Sequence, residues 1–150
     1  MTPKIKSYPP AARTDALVDA LTVLWEASVR ETHGFLTEND IVSLRAYVPQ
    51  ALRAVPCLAV LHEDGKPLGF LGVDGQRLEM LFLHPREIGR GFGRLLAEYA
   101  FSQYGVNAVC VNEQNPRAAA FYRRLGFVLD RRTEQDEQGR PFPLLYLKKR

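Results

Sequence analysis

Cysteine is scarce in this sequence, and long apolar runs are absent. The two cysteines among 150 residues, Cys57 and Cys110, both lie in apolar stretches typical of strands. Two buried thiols of this kind make neither a disulfide framework nor a metal-binding pattern, and they suit a reducing compartment. No apolar run approaches the length of a membrane span, and residues 1–4 carry no apolar signal segment. We therefore expect a cytoplasmic protein with no membrane partner and no metal site.

Charge of one sign is not in large excess either. The net charge is +3 and the pI is near 9.0, which favours anionic ligands but is too small to indicate a nucleic-acid-binding protein. The arginines cluster at 86–94 and 117–132, and the phosphates of one small ligand account for them. A nucleic-acid partner at the basic end, 148–150, stays an alternative, although so short a run is usually a solvated tail. We expect a small-molecule ligand and no nucleic acid.

The length is sufficient for one complete core. Residues 1–150 are predicted to form a single domain, because a chain of this size buries about two-thirds of its unfolded surface. An apolar stripe predicts a first helix over 14–31, capped by its leading threonine. The capping box at 37–40 opens a second helix, which faces Tyr47 inward and is disturbed at Pro49.

The rest of the chain predicts strands and helices around one sheet. Asp64-Gly65 is a hairpin signal between two apolar runs, and a third strand follows, so these three strands are antiparallel neighbours. A helix separates the third strand from the next one, so those two must be parallel. The predicted strands are 3–7, 57–63, 68–73, 78–83, 107–111, 127–130 and 143–147, and the later helices are 91–104 and 115–125.

A glycine-rich turn joins the strand at 78–83 to the helix at 91–104. Apolar residues fill the strand, which suits burial on both faces. A helix start presents unpaired N–H groups and the positive end of its dipole, and glycine lets a phosphate approach the backbone. We interpret the turn as a pyrophosphate cradle to which arginines add positive charge. Its residues are Gly89, Gly91 and Gly93 with Arg86, Arg90 and Arg94.

Two better-known phosphate loops do not fit this turn. A Walker A loop needs Lys followed by Ser or Thr after its last glycine, whereas Arg94 and Leu95 follow here. A dinucleotide-binding fingerprint that starts at Gly91 needs a third glycine at the position of Leu96. The turn therefore matches neither the Walker A loop nor the dinucleotide-binding fingerprint.

Two runs in the same order resemble the signatures of the GNAT superfamily of N-acetyltransferases. The first is 81–93, Leu-Phe-Leu-His-Pro followed by Gly-Arg-Gly-Phe-Gly, and the second is 112–127, with Asn, Ala, Phe-Tyr and Gly-Phe in turn. The resemblance covers about residues 56–150. It departs at Ile88, where family members usually carry Arg or Gln. It implies a mixed α/β fold: a mostly antiparallel central sheet with a splayed parallel strand pair and about four helices.

The resemblance also implies acetyl-coenzyme A as the cofactor, bound in the gap between the splayed strands. Backbone N–H groups of Leu81, Phe82 and Leu83 would hydrogen-bond the pantetheine arm and the thioester carbonyl. One of them would stabilise the oxyanion that forms during the reaction. The implied cofactor-binding residues are Leu81, Phe82, Leu83, Gly89, Arg90, Gly91, Phe92, Gly93, Arg94, Asn115 and Tyr122.

Two catalytic residues follow from the same resemblance. Tyr122 would protonate the departing thiolate, and Glu79 would accept the proton of the amine. Glu79 lies two residues before Leu81, so we expect both side chains on one face of the strand. Each assignment has a structural alternative, a packed tyrosine and a polar strand-end residue. The candidate acceptor-side residues are His33, Phe35 and Glu113.

We therefore expect an enzyme, an N-acetyltransferase that moves the acetyl group of acetyl-CoA directly to a primary amine. The acceptor is a small molecule, a peptide or a protein. No Ser–His or Cys–His pattern suggests a covalent enzyme intermediate. A non-catalytic module that binds and senses acyl-CoA stays the alternative; Ile88 favours it and Tyr122 does not. The sequence leaves the oligomeric state open between monomer and homodimer.

Overall fold

The computed structural model describes residues 2–150, which form seven strands and five α-helices. The strands are β1 Lys4–Ser7, β2 Cys57–Glu63, β3 Lys66–Asp74, β4 Arg77–Leu83, β5 Ala108–Asn112, β6 Phe127–Thr133 and β7 Leu144–Lys149. The helices are α1 Asp15–Thr32, α2 Glu38–Arg45, α3 Val48–Ala54, α4 Phe92–Tyr104 and α5 Pro116–Arg124. A short 3-10 turn, Pro85–Glu87, follows β4.

The strands make one mixed sheet in the order β1-β2-β3-β4-β5-β7-β6. Every neighbouring pair is antiparallel except β4 and β5, which are parallel. The described part of β4 and β5 pairs at two positions, Arg77 with Ala108 and Leu78 with Val109. Beyond them the strands diverge and leave a gap in the middle of the sheet. The predicted mixed sheet with a splayed parallel pair is confirmed.

Helices cover both faces of the sheet and create two apolar cores. On one face α1, α2 and α3 bury side chains such as Leu21 and Phe70. On the other face α4 and α5 pack over a core that includes Leu96 and Phe127. Burying one such side chain contributes roughly 1.5–3 kcal/mol, so the two layers hold the divided sheet together. Within residues 2–150, no helix has both the length and the hydropathy that crossing a bilayer requires.

Local capping chemistry sets the predicted element ends. The Thr14 hydroxyl accepts from the Leu17 amide at the start of α1, and Thr37 and Asp40 form the reciprocal capping box of α2. Asp64, with φ of 52°, and the glycine after it, with φ of 79°, make the tight turn between β2 and β3. These three predictions are confirmed.

The second predicted helix is in fact two helices. α2 ends at Arg45, and α3 begins at Val48 with Pro49 in its first turn. Proline lacks the N–H that a continuing helix needs, but the first turn of a new helix does not use that group. The prediction that Tyr47 faces inward is wrong: this residue lies at the break and is 52% exposed.

The prediction that 78–83 is buried on both faces is wrong for most of the strand. Leu78 is buried, but the residues from Met80 to the end of β4 are only partly buried, and the side chain of Glu79 is 30% exposed. The reason is the divergence of β5, because β4 loses its neighbour after Leu78. This half-open strand edge positions the candidate site.

Candidate active site

Two neighbouring cavities open where β4 and β5 diverge. The smaller, about 190 Å³, occupies the gap between the strands and reaches α5. The larger, about 330 Å³, lies on the α1 side, beneath the α1–α2 segment and the loop between β6 and β7. The two cavities meet at shared residues, which are His33, Glu79, Phe82, Cys110 and Asn112.

The backbone of β4 directs two amide groups into the gap. His84 N donates to the Leu68 carbonyl oxygen of β3 at 2.9 Å, and Phe82 continues the same register. Alternate residues of an antiparallel pair point their N–H toward the partner strand. The Phe82 amide therefore faces β3, and those of Leu81 and Leu83 face the gap. The prediction of three free donors is wrong for Phe82, because pairing with β3 uses its amide.

The glycine-rich turn runs into the N-terminus of α4. Gly89 and Gly91 have φ of 89° and 83°, a left-handed conformation that favours glycine. Gly93 is not in that left-handed region, and a Cβ atom on it would meet the Phe121 ring at 3.6 Å, which is ordinary contact, so neither strain nor crowding requires glycine there. The open backbone at a helix start fits the pyrophosphate of a coenzyme A. Ile88, which stands where family members usually carry Arg or Gln, ends the 3-10 turn Pro85–Glu87 and is 37% exposed.

The predicted arginines of the turn already have acidic neighbours. Arg90 forms an ion pair with Glu87 at 2.6 Å and lies over the Phe92 ring at 4.6 Å. Arg94 pairs with Glu98, one turn further along α4, at 2.8 Å. Both guanidinium groups are exposed, and exposed pairs are worth little in free energy. A phosphate at the turn can therefore compete for them.

Asn115 caps α5 through its side-chain oxygen, which accepts from the Ala118 amide at 3.3 Å. The same side chain lines the smaller cavity. Its oxygen is thus occupied by the helix, and its amide N–H groups are what it can offer a ligand.

Tyr122 lies on the inner wall of the smaller cavity. The residue is 6% exposed and packs edge-on against the rings of Phe121 and Phe127, with centroids 5.0 and 5.7 Å away. Burial raises the pKa of the hydroxyl well above its ordinary value. The hydroxyl keeps its proton at neutral pH, which is the state that a proton donor requires.

A β-bulge changes the direction of the Glu79 side chain. The β3–β4 register shifts between Gly72 and Val73, which leaves Glu79 as the extra residue of β4. Leu81 packs against the core under α4 and α5, whereas Glu79 lines the larger cavity on the α1 side with Phe82. The prediction that Glu79 and Leu81 share a face is wrong, because the bulge shifts the alternation by one residue.

Charged neighbours surround the Glu79 carboxylate. Arg77 Nε lies 3.4 Å from Glu79 Oε1, and the other guanidinium nitrogens of Arg77 donate to Glu137 at 2.9 and 3.2 Å. Burial raises the pKa of Glu79, the attraction of Arg77 opposes it, and the Glu137 carboxylate adds to the rise. The net pKa is above that of an exposed carboxylate, so Glu79 is the stronger base.

Two of the three predicted acceptor-side residues reach the cavities. His33 lines both, and Phe35 lines the larger one with its ring 5.9 Å from that of Phe142. Glu113 lines neither, and Arg132 of β6 holds it on the surface with a bond of 3.0 Å. The prediction that Glu113 stands at the acceptor site is wrong, because this partner on β6 draws its side chain away.

Sequence reasoning missed several residues of the site, among them Arg77, Cys110 and Glu137. No motif connects them, and they come from β4, β5 and the β6–β7 loop. The one available signal was the position of Cys110 on the strand predicted to face the gap. Burial raises the pKa of the Cys110 thiol to about 11, so it stays protonated.

Known acetyltransferases match this chain over most of its length. Residues 56–129 match the family model described as an acetyltransferase (GNAT) domain. The peptidyl-lysine N-acetyltransferase YjaB of Escherichia coli (strain K12) is 37% identical over 129 residues, which cover 86% of this chain and 88% of that protein. The solution structure of apo YjaB from Escherichia coli has a TM-score of 0.86 and 34% identity, over 99% of this chain and 97% of that one.

A more distant structure shows the same fold. The PaiA N-acetyltransferase of Thermoplasma acidophilum, solved in complex with coenzyme A, has a TM-score of 0.72 and 20% identity over 100% of both chains. The predictions of an acetyltransferase and of its fold are thus confirmed. The sequence relatives show, and the divided sheet agrees, that the chain belongs to the GNAT family of acetyltransferases.

Proposed function

We propose that this acetyltransferase moves the acetyl group of acetyl-CoA directly to the side-chain amine of a lysine in a peptide or protein. One observation carries the proposal: a strand gap that fits a thioester arm joins a second cavity that fits an amine side chain. The two substrates would meet at Glu79 and His33, which line both spaces.

The chemistry of the larger cavity supports a lysine acceptor. Its apolar wall includes Trp25, Phe82 and Phe142, which suit the methylene stem of a lysine. Its acidic residues Glu79 and Asp136 suit the ammonium group that a lysine carries before it reacts. The YjaB proteins that resemble this chain are named peptidyl-lysine N-acetyltransferases.

The smaller cavity and the glycine turn support acetyl-CoA as donor. The turn offers open backbone at the N-terminus of α4, and the gap offers the amides of Leu81 and Leu83. Acetyl-CoA would supply an activated thioester in this gap. The structure of the PaiA acetyltransferase contains coenzyme A.

Each residue then has one task in the transfer. Glu79, directly or through a water, accepts a proton from the ammonium group and leaves a neutral amine. Leu81 or Leu83 donates its amide N–H to the carbonyl oxygen as negative charge develops there, a contribution of about 3 kcal/mol. Tyr122 donates its proton to the departing thiolate, whose proton affinity resembles that of a cysteine with pKa about 8.5.

The test is release of free thiol from acetyl-CoA with defined peptides, joined to mass measurement of the product. An N-terminally blocked peptide with one lysine is expected to gain one acetyl group. The matched control replaces that lysine by arginine, and a second control carries a free α-amino group without lysine.

Transfer to the unblocked α-amino group in place of the lysine would contradict the lysine proposal and leave acetyl transfer intact. Tight binding of acetyl-CoA without thiol release on any amine would support the sensing module instead. The matches to named acetyltransferases favour the enzyme.

A further inference from the structure

Thr32, the last residue of α1, has one hydroxyl proton and two polar neighbours. Its Oγ1 donates to the Ser28 carbonyl oxygen at 2.8 Å, and it lies 2.7 Å from His33 Nδ1. A carbonyl oxygen can only accept, so the hydroxyl proton belongs to that bond. Both contacts are satisfied together only when His33 Nδ1 carries a proton and donates it to Thr32 Oγ1.

This arrangement fixes the tautomer of the imidazole. A neutral ring with its proton on Nδ1 has a lone pair on Nε2. Burial lowers the pKa of His33 to about 4, so the ring is neutral at pH 7. At that pH Nε2 is a hydrogen-bond acceptor.

The second ring nitrogen of His33, Nε2, is accessible from the site. His33 lines both cavities, and Nδ1 is turned toward Thr32, on the other side of the ring. The described residues give His33 Nε2 no hydrogen-bond partner. Within residues 2–150, Arg77 Nε is a side-chain nitrogen that is both buried and without a partner, and His33 Nε2 is not. His33 Nε2 is therefore accessible from the cavity.

We propose that Thr32 is a positioning residue that holds His33 in the Nδ1–H tautomer, so that Nε2 accepts a hydrogen bond from the attacking amine. The inference rests on the proposed transfer to an amine. A neutral primary amine has two N–H groups and one lone pair. A bond from one N–H to Nε2 orients the lone pair toward the thioester carbonyl. After attack the nitrogen loses one more proton to Glu79, which has by then released the ammonium proton to solvent through the open cavity.

Other ionisable groups face the same space and do not replace this one. The guanidinium group of Arg77 has no acceptor, and the Cys110 thiol is protonated. Glu137 accepts from Arg77, and the Asp136 carboxylate accepts from two backbone amides of its own loop. Among the described residues, Glu79 and His33 are the carboxylate and the imidazole that line both cavities, whereas Asp136 and Glu137 line only the larger one.

The test compares Thr32→Val with Thr32→Ser. Valine keeps the shape and removes the hydroxyl, whereas serine keeps the hydroxyl. Long-range ¹H–¹⁵N NMR of the ring at pH 7 reports the tautomer, and steady-state kinetics with a blocked lysine peptide report transfer. In the wild type we expect Nδ1–H. In Thr32→Val we expect a mixed tautomer and a loss of about tenfold in kcat/KM for the peptide, with unchanged affinity for acetyl-CoA. Thr32→Ser is expected within about twofold of the wild type.

The outcomes separate the two proposals. An Nε2–H tautomer in the wild type would overturn this inference whether or not lysine is acetylated. A mixed tautomer in Thr32→Val with kcat/KM within about twofold of wild type would overturn it too. An Nδ1–H wild type that acetylates no amine would overturn the proposed function, and the role of Nε2 with it. If Thr32→Val is unfolded by its melting curve, the wild-type tautomer and the effect of His33→Gln on kcat/KM decide, and an unchanged kcat/KM in that variant would overturn the inference.

Discussion

Two ionisable residues of the site have environments that suit opposite tasks. Burial raises the pKa of both Tyr122 and Glu79. For a tyrosine the rise keeps the proton on the hydroxyl at neutral pH, so that the proton is present when the thiolate departs. For a glutamate the rise makes the carboxylate a stronger base for an ammonium proton. The same physical cause thus supports an acid on α5 and a base on β4.

Tyr122→Phe removes the hydroxyl and keeps the ring in its contacts with Phe121 and Phe127. If the hydroxyl protonates the thiolate, kcat falls by about 10²–10⁴-fold, while the melting temperature and acetyl-CoA affinity change little. The effect should shrink with an acyl donor whose thiol is more acidic. Steady-state kinetics and a melting curve on one preparation are the measurement. A kcat within about threefold of wild type, under 1 kcal/mol, would assign Tyr122 to packing alone.

Glu79→Gln keeps the size of the side chain and removes the base. We expect kcat/KM to fall most for a lysine, whose amine has a pKa of about 10.4, and less for an α-amino group at about 7.7–8.0. The measurement is the pH dependence of kcat/KM for peptides that offer one amine or the other. An equal loss for both amines, with an unchanged acid limb, would show that Glu79 has no role as a base.

Gly93→Ala separates cofactor binding from folding better than a change at Gly91, where φ is 83°. Gly93 lies in α4, and an added Cβ has room against Phe121. Alanine should therefore raise the free energy of unfolding by about 0.5–1 kcal/mol. Calorimetric titration with acetyl-CoA is expected to show weaker binding, because the methyl group covers backbone at the helix start. Ser102→Ala, later on the same helix, is the matched control and should bind normally. Wild-type affinity in Gly93→Ala would remove this residue from the cradle.

At the scale of elements, capping chemistry was readable from the sequence and pairing register was not. Thr14, the 37–40 capping box and Asp64-Gly65 act within four residues of chain, so residue type and spacing determine them. The bulge at Glu79 depends on how β4 pairs with β3, and the contact between Arg77 and Glu137 spans 60 residues. The two family signatures predicted the gap but not the side chains that reach it from distant strands.

Arg13 shows the same limit, since its role as a buried clamp has no local signal. The residue is 4% exposed and donates to carbonyl oxygens of Leu52, Arg53 and Val55, at the C-terminal end of α3. Those carbonyls lack partners within the helix and lie at the negative end of its dipole. Arg13 thus joins the segment before α1 to the end of α3 and to the residues that lead into β2.

Arg13→Met should lower the free energy of unfolding by at least about 3 kcal/mol, because several buried carbonyls lose their donors. Denaturant unfolding with a constant slope is the measurement. Arg53→Met is the control: its exposed pair with Asp15 should be worth under about 1 kcal/mol. Equal losses in the two variants would mean that the clamp adds nothing beyond a surface pair.

At the scale of the whole molecule, the site exists because the sheet is divided and yet covered on both faces. β4 and β5 hold together at one end, α4 and α5 support the gap on one side, and α1 supports it on the other. Phe35, between α1 and α2, and Phe142, in the loop between β6 and β7, line the larger cavity, and their rings lie 5.9 Å apart. Because the walls of the site are packed parts of the fold, ionisable groups buried in those walls link the stability of the fold to their protonation.

His33 supplies that link through its buried ring. Its pKa is about 4 in the folded protein, lowered by burial, against 6.5 as its ordinary value. The unfolded chain therefore binds more protons between these values, and the free energy of unfolding falls as pH drops from about 6.5 to 4, by up to about 3 kcal/mol. The raised pKa of Glu79 acts in the opposite direction and reduces the fall.

His33→Gln should flatten this dependence, because a neutral amide replaces the ring that resists protonation. Urea unfolding at half-unit steps from pH 4.5 to 7.5 is the measurement. His62→Gln is the matched control: burial also lowers the pKa of His62, but its ring lies away from both cavities and bonds to Tyr8. We expect the larger flattening in His33→Gln, since its ring is the more buried of the two. A His33→Gln profile parallel to that of the wild type would mean that acid titrates other groups, and that the fold does not keep the His33 ring neutral at the two cavities.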